Sequence, residues 1–295
     1  MSDFPGPALS RQRLATYLRN LRGAKPAADV ARAMHWSLSK LNRIENNKVT
    51  IQPLEVRALV QHYGIQDPDE IERLVQLSLA SRQRMWWREE HSVDEDYLNF
   101  IAFENDASHM YGYQVSYLPG LLQTRAYAEA LTASVPRKPP QEPRVQEVVD
   151  IRMKRQESLM QRLAGDNPPG LSQAIDEAVL LRAIGGREVM LEQLEHLLEL
   201  SRFPTVTLAV VPLALGAHPG LGGPFELLTF SEDDDLDVVF IETPASDFLI
   251  TDEEHTSTFR QIMNSLLATD SRRDSLERAV ARARDTFLSD ARIGG

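Results

Sequence analysis

The sequence predicts a mainly α N-terminal domain of five short helices followed by an α+β C-terminal domain. Three observations predict it. Up to about residue 87, apolar residues recur at the three-to-four spacing of helices, broken by Pro, Gly and Asn. Farther along, short runs rich in Val, Leu, Thr and Phe, bounded by Pro, Gly or Asp, read as strands between helical segments. The charge also divides: residues 1–50 hold nine Lys and Arg against three acids, a net charge of +6, whereas the remainder holds 23 against 40, a net charge of −17. A basic head on an acidic body points to an anionic partner for the head, which the whole-chain charge of −11 conceals.

Length and composition bound the rest. At 295 residues, 42% hydrophobic and 25% charged, the chain is long enough for about two domains with their own cores. The expected division is a head over 1–82, a junction over 83–95 and a body over 96–295. No apolar run approaches the ~20 residues of a membrane span, so no membrane partner is expected. The opening MSDFPGPALSRQRL has no apolar signal core. Absence of cysteine excludes disulfides, thiolate metal sites and a cysteine nucleophile, and is compatible with the expected cytoplasmic location.

In the head, Leu14, Leu18 and Leu21 repeat at helical spacing in the first helix, with Ser10 as its expected N-cap. Pro26 suits the first position of a second helix with Val30, Ala31 and Met34 inward. Trp36 and Ser37 form a turn, and Ser37 caps a third helix running to about Asn46 with Leu41 and Ile44 inward. Pro53 opens a fourth helix that Gly64 closes, and Pro68 opens a fifth with Asp69 and Glu70 near its positive end.

Five short helices with a tight turn between the second and third form the helix-turn-helix layout, whose third helix enters the DNA major groove. With Leu41 and Ile44 inward, the opposite face presents Ser37, Leu38, Ser39, Asn42 and Arg43. Arg43 suits bidentate bonding to guanine, Ser37 and Ser39 suit bases or phosphates, and Leu38 suits a thymine methyl. Lys40, Asn46 and Lys48 are expected nearer the phosphates. Glu45 is out of place on such a face and is expected to pair internally with Arg13 or Arg19. Periodicity alone leaves a solvated amphipathic helix as an equal alternative.

The stretch SLSKLNRIENNKVT resembles the third-helix signature of the Cro/repressor-like, xenobiotic-response-element type of helix-turn-helix. That resemblance places Ser37, Leu38, Ser39 and Arg43 at base-facing positions and Lys40 and Asn46 at flanking contacts. Two positions depart from it. Pro26 and Ala27 stand where the family has Thr or Ser followed by a phosphate-bonding Gln, and Asn47 replaces the usual Gly, though Asn tolerates a left-handed turn. Farther on, SRQRMWWREE, YQVSYLPGLLQTRAYAEAL, IRMKRQESL, AIDEAVLLRAIGG and VVPLALGAHPGLGGPFELLTF resemble, in order, landmarks of an actinobacterial regulator family. In that family the same head precedes a domain of about two hundred residues of unknown function. The resemblance implies a transcriptional regulator, sometimes labelled antitoxin-like and often encoded beside a small acidic partner protein.

In the body, segments 95–111, 121–134, 142–163, 187–201 and 252–290 carry helical periodicity. LSQAIDEAVLL, TVTLAVVPL, GPFELLTF and DLDVVFIET read as strands of a sheet covered on one face. VPRKPPQEP reads as a loop or spacer, and Trp86 with Trp87 as an apolar pair that docks the two domains or caps a local core. GAHPGLGGPF lacks the spacing of a phosphate loop and reads instead as a loop rimming a ligand pocket with His218 and Phe225. Glu192, Glu195, His196 and Glu199 read as a solvated helix face rather than a metal site, and SEDDDLD as a charged turn rather than a calcium loop. No Ser-His-Asp signature appears, so neither enzyme, cofactor nor metal is expected. The function expected is a sequence-specific DNA-binding regulator acting as a homodimer on double-stranded DNA, its body sensing a small molecule or a partner protein. An antitoxin-like protein that grips only its partner, and a DNA-tethered enzyme, are the alternatives.

Overall fold

Two units, Met1–Glu89 and Glu90–Gly295, make up the chain in the computed structural model, which describes residues 6–83, 95–134, 139, 141–230, 236–243, 246–269 and 274–289. Trp86 and Trp87, most of VPRKPPQEP and the acidic stretch 231–235 lie outside the described residues.

Helices α1 (Pro7–Arg22), α2 (Ala27–Ala33), α3 (Leu38–Glu45), α4 (Pro53–His62) and α5 (Pro68–Ala80) form the first unit. Leu18, Leu41, Leu59 and Leu74, one from each of four helices, meet in its core with Val30 of α2. The first helix begins a turn earlier than the sequence predicts. Gly6 is its N-cap and Pro7 its first residue, while Ser10 is buried inside the first turn. Proline's fixed φ is already helical and its missing N–H is no loss at a helix start, so Pro7 and not Ser10 sets the boundary.

Three successive helices end in the same way. After α2, Trp36 N–H donates to Ala31 O at 2.8 Å and His35 N–H to Arg32 O at 3.1 Å. After α3, Lys48 N–H donates to Arg43 O at 2.8 Å and Asn47 N–H to Ile44 O at 3.1 Å. Ile65 N–H and Gly64 N–H repeat the pattern after α4. This is the Schellman closure, which satisfies carbonyls left over at a helix end and requires a left-handed residue just past it. His35 (φ 54°), Asn47 (φ 58°) and Gly64 (φ 95°) fill that position.

The second unit is built on a six-stranded sheet in the order β3-β2-β1-β4-β5-β6. Its strands are β1 (His109–Gln114), β2 (Gly170–Asp176), β3 (Val206–Val211), β4 (Phe225–Thr229), β5 (Asp237–Glu242) and β6 (Asp247–Ile250). The first three are parallel and the last three antiparallel. Helices α6 (Glu95–Asp106), α7 (Arg125–Ser134), α8 (Pro143–Leu163), α9 (Glu177–Leu181), α10 (Arg187–Leu200), α11 (Glu253–Thr269) and α12 (Asp274–Ser289) surround it.

Several features differ from the sequence reading. Residues 109–111, expected as the end of a helix, open β1, the central strand, which pairs with β2 and β4. Pairing on both edges decides the conformation of HMYGYQ, whose local pattern favours neither state. The segment read as a strand over 171–181 turns helical at Asp176, whose side chain accepts from Ala178 N–H and caps α9. The last helical segment is two helices, and β6 is an added edge strand. The sheet is covered on both faces. On one, Tyr113, Ala174, Leu227 and Val239 pack against Met263 and Leu266 of α11. On the other, Phe240 of β5 stacks on Phe100 of α6 with ring centroids 4.2 Å apart. Side chains alternate between faces along each strand, so the second face also carries Gln114, Gln173 and Glu226. Among the described residues, no helix is long and apolar enough to cross a membrane.

A non-glycine residue held in the left-handed region costs roughly 1–2 kcal/mol. Replacing His35 by Gly removes that cost but adds glycine's chain entropy. His35→Gly is expected to stabilise the N-terminal unit by up to about 1 kcal/mol, measured by urea denaturation; a loss of stability would show that the His35 side chain contributes more than its backbone costs.

Candidate nucleic-acid interface and a cavity in the C-terminal unit

Helix α3 is fixed at both ends and along one side. The Ser37 hydroxyl oxygen accepts from Lys40 N–H at 3.1 Å, capping the N-terminus. Leu41 and Ile44 are buried, leaving Ser37, Leu38, Ser39, Asn42, Arg43, Asn46 and Lys48 exposed. Leu38 keeps 45% of its surface exposed. Leu38, Ser39, Asn42, Arg43, Asn46 and Lys48 line one shallow hollow. Among the described residues, no side chain bonds the Arg43 guanidinium.

Other expected contact residues are engaged within the unit. Lys40 pairs with Glu55 of α4 and lies over the Trp36 ring, 4.5 Å from its centroid. Glu55 in turn accepts from Gln52 N–H at 3.2 Å, at the start of α4, so Lys40 couples the two helices. The Asn46 amide donates to Asn42 O at 2.8 Å, closing the end of its own helix. Glu45 is buried and accepts from Arg22 Nε at 2.8 Å, not from Arg13 or Arg19. Arg22 lies one turn beyond Arg19 along α1, and there it reaches the end of α3. Hydrogen bonding to Glu45 holds the Arg22 guanidinium above its usual range, against the opposing effect of burial. The sequence reading missed Arg11, whose Nε donates to Asn47 Oδ1 at 2.8 Å and so ties α1 to the turn after α3; spacing along the chain carries no sign of it.

The C-terminal unit holds a second site, a cavity of about 240 Å³ between α6, α8 and the second face of the sheet. Tyr97 and Phe100 of α6, Arg152 and Arg155 of α8, Gln114 of β1, Glu226 of β4 and Phe240 of β5 line it. Phe225 belongs to this lining as well, but His218 does not. Both rings nonetheless neighbour Tyr113, with Phe225 at 6.4 Å between centroids. His218 precedes the single turn Pro219–Gly222 and packs edge-on against Tyr113 at 5.9 Å, where that turn tucks in.

Two carboxylates behind this cavity have opposite environments. Glu104 receives both Nε (2.9 Å) and Nη2 (2.6 Å) of the buried Arg155, which also donates to Tyr97 Oη at 2.5 Å. Burial works against the Arg155 charge, but Glu104 more than offsets it and holds the guanidinium above its usual range. Glu226 has only two long hydrogen bonds, from Gln173 Nε2 at 3.3 Å and Gln114 Nε2 at 3.4 Å. Burial pushes its carboxyl up to about 7; the Glu104 charge adds to the rise, and the glutamine amides and Arg155 oppose it. Gly112 makes this arrangement possible in the central strand: a Cβ there would lie 2.2 Å from Gln173 Oε1 and 2.4 Å from Glu226 Oε2. The sequence carries one signal for the cavity, the charged Glu226 within the apolar strand FELLT, but that signal does not say which strands adjoin.

The acidic face of α10 does not converge on a metal site. His196 Nδ1 lies 3.9 Å from Glu199, and Glu195 pairs with Arg284 of α12. Among the described residues, no three His, Cys, Asp or Glu side chains gather closely enough to hold an ion.

Residues 13–74 match the helix-turn-helix domain family. Residues 97–279 match a family described as a domain of unknown function, DUF5753. No curated protein and no solved structure matches the chain.

Removing one partner of a buried ion pair leaves the other charge stranded, at a cost of about 3–5 kcal/mol. Glu104→Ala is therefore expected to destabilise the C-terminal unit by that order, whereas Glu104→Ala combined with Arg155→Met is expected to recover part of the loss. Chemical denaturation of the unaltered chain and the two variants checks this, and an undiminished stability of Glu104→Ala would show the pair to be dispensable.

Proposed function

The chain belongs to the DUF5753 family and carries a helix-turn-helix domain, a DNA-binding regulator on that ground, and from this premise we propose that it is a sequence-specific, homodimeric regulator of transcription whose C-terminal unit senses a small molecule. The observation that carries the DNA-reading part is the hollow on α3: its six side chains are presented together on the face opposite Leu41 and Ile44. In this reading Arg43 bonds a guanine edge, Leu38 meets a thymine methyl, and Ser37, Ser39 and Asn42 complete the base contacts. Lys48 and Asn46, farther along, meet phosphates and set register. Lys40 positions α3 through Glu55 and contributes less to the backbone than its charge alone implies. The Ser37 cap, the buried Leu41 and Ile44 and the left-handed Asn47 support the xenobiotic-response-element type.

A single helix-turn-helix makes few contacts, and useful affinity on two half-sites a helical turn apart asks for a symmetric pair. For the C-terminal unit, a concave, partly open cavity with aromatic walls and buried polar groups favours a small-molecule input over a partner protein, which would need a flat apolar face.

An operator selected from a random-sequence library provides the test. Arg43→Ala is expected to cost about 1–3 kcal/mol on that operator and little on random DNA, while Lys48→Ala weakens both and lowers the salt slope by about one. Equal loss on operator and random DNA for Arg43→Ala would end the base-reading role. Light scattering of the operator complex is expected to give two chains per site; one chain would remove the dimer.

A further inference from the structure

We propose that the cavity between α6, α8 and the sheet binds a small organic ammonium compound, its charged nitrogen against the Glu226 carboxylate and its apolar body against Tyr97, Phe100 and Phe240. This deepens, and rests on, the reading of the C-terminal unit as a sensor.

The hydrogen-bonding deficit of the cavity selects the ligand. An ionised carboxylate offers about four acceptor positions, and Glu226 fills two of them with long amide contacts. Among the described residues, no Lys, Arg or His lies within ion-pair distance of it. The nearby cation, Arg155, is committed to Glu104 by two bonds and lies over the Tyr97 and Phe100 rings at 5.3 Å. Gln114 Oε1 and Gln123 Oε1 are also buried without a donor, and both residues line the cavity. Buried polar groups are ordinarily bonded, so two orphaned amide oxygens beside a half-buried carboxylate with only long contacts, all in one lining, favour a donor-rich ligand. Arg152 Nε is the single orphaned donor in the same lining. It gives the ligand room for one acceptor atom.

Size and surroundings narrow the class further. At about 240 Å³ the cavity is below the ~300–1,000 Å³ of sites for drug-sized ligands, which leaves room for one ring or a short chain. A purely anionic ligand is disfavoured. It would meet Arg144 and Arg152, but it would also bring a second negative charge beside Glu226, with Glu242 and Asp247 facing the same cavity.

The charge state of Glu226 supplies a second readout. The titratable groups facing it are Glu104 and Tyr97 from α6, Arg152 and Arg155 from α8, Tyr117 after β1 and Glu242 from β5. With its carboxyl pushed up to about 7, Glu226 is mostly neutral at pH 6 and mostly ionised at pH 8. A bound cation favours the ionised form, so binding releases a proton and tightens as pH rises, by about tenfold over those two units.

Benzylamine, benzyl alcohol and benzoate, titrated calorimetrically into the full chain without DNA, test the site. Benzylamine is expected to bind at least about tenfold more tightly than benzyl alcohol, to bind more tightly at pH 8 than at pH 6, and to release a proton. Glu226→Gln is expected to abolish the preference for the amine and the pH dependence together. Equal binding of amine and alcohol, a preference for benzoate, or no detectable benzylamine binding up to tens of millimolar would each overturn the proposal. These comparisons stand on the unaltered chain should Glu226→Gln fold poorly. Operator affinity with and without benzylamine is measured separately. Binding that leaves that affinity unchanged would remove the sensing role and keep the site.

Discussion

Burial of Leu41 and Ile44 fixes the rotation of α3, and the exposed face proposed to read DNA follows from it. An isolated helix of eight residues is unstable in water, so whatever holds α3 must come from its neighbours. Each fully buried Leu or Ile contributes about 1.5–3 kcal/mol, and two of them at i and i+3 allow only one face to turn outward. The Ser37 cap and the left-handed Asn47 close the ends, while Glu45 with Arg22 and Arg11 with Asn47 tie the C-terminal end to α1. None of these bonds uses the side chains of Leu38, Ser39 or Arg43. Positioning and recognition are thus divided between opposite faces of the same two turns, and Glu45, an acid where DNA would repel it, belongs to the first task.

The C-terminal unit shows a different division, between a buried acid and a half-buried one. Glu104 has a bidentate arginine and Glu226 has two glutamine amides. A carboxylate that serves only to hold a core together needs a full set of donors, because the cost of burying its charge is several kcal/mol unless it is paired. Glu104 meets that requirement and ties α6 to α8. Glu226 does not, and it is the one that reaches the cavity. Gly112, which removes a side chain from the centre of the sheet, preserves the space in which Glu226 and Gln173 meet.

Much of the N-terminal unit was legible because helix boundaries are local. Pro53, Pro68 and Ser37 mark their helices through the geometry of single residues. Where two local signals competed, at Pro7 and Ser10, the fixed φ of proline prevailed. The C-terminal unit was less legible because its decisive contacts are not local. β1 is a strand because β2 and β4 flank it, and its own Gly, Gln and two Tyr show no clear alternation. Gln114 and Glu226 are 112 residues apart in sequence and adjacent in the sheet. Glu226 alone hints at the site, since a charged residue within FELLT contradicts an apolar strand. His218 and Phe225, seven positions apart, both neighbour Tyr113, yet after the intervening turn only Phe225 lines the cavity.

The basic head also changes meaning once its ion pairs are known. Of its nine cations, Arg22, Arg32 and Lys40 face Glu45, Asp29 and Glu55; Glu45 and Asp29 are already counted in the net charge of +6, while Glu55 lies outside residues 1–50, so +6 overstates the field available to a phosphate backbone by that one charge. Non-specific DNA binding scales with the number of phosphates neutralised. A head with several of its cations internally paired, attached to a strongly acidic body, is therefore expected to hold random DNA weakly. Occupancy of a site then depends on the base-edge contacts of α3, and a single α3 offers few of them. In the proposed reading, the same economy of positive charge that favours discrimination calls for a second copy of the head, and a ligand that alters the pairing of two copies is then an effective input.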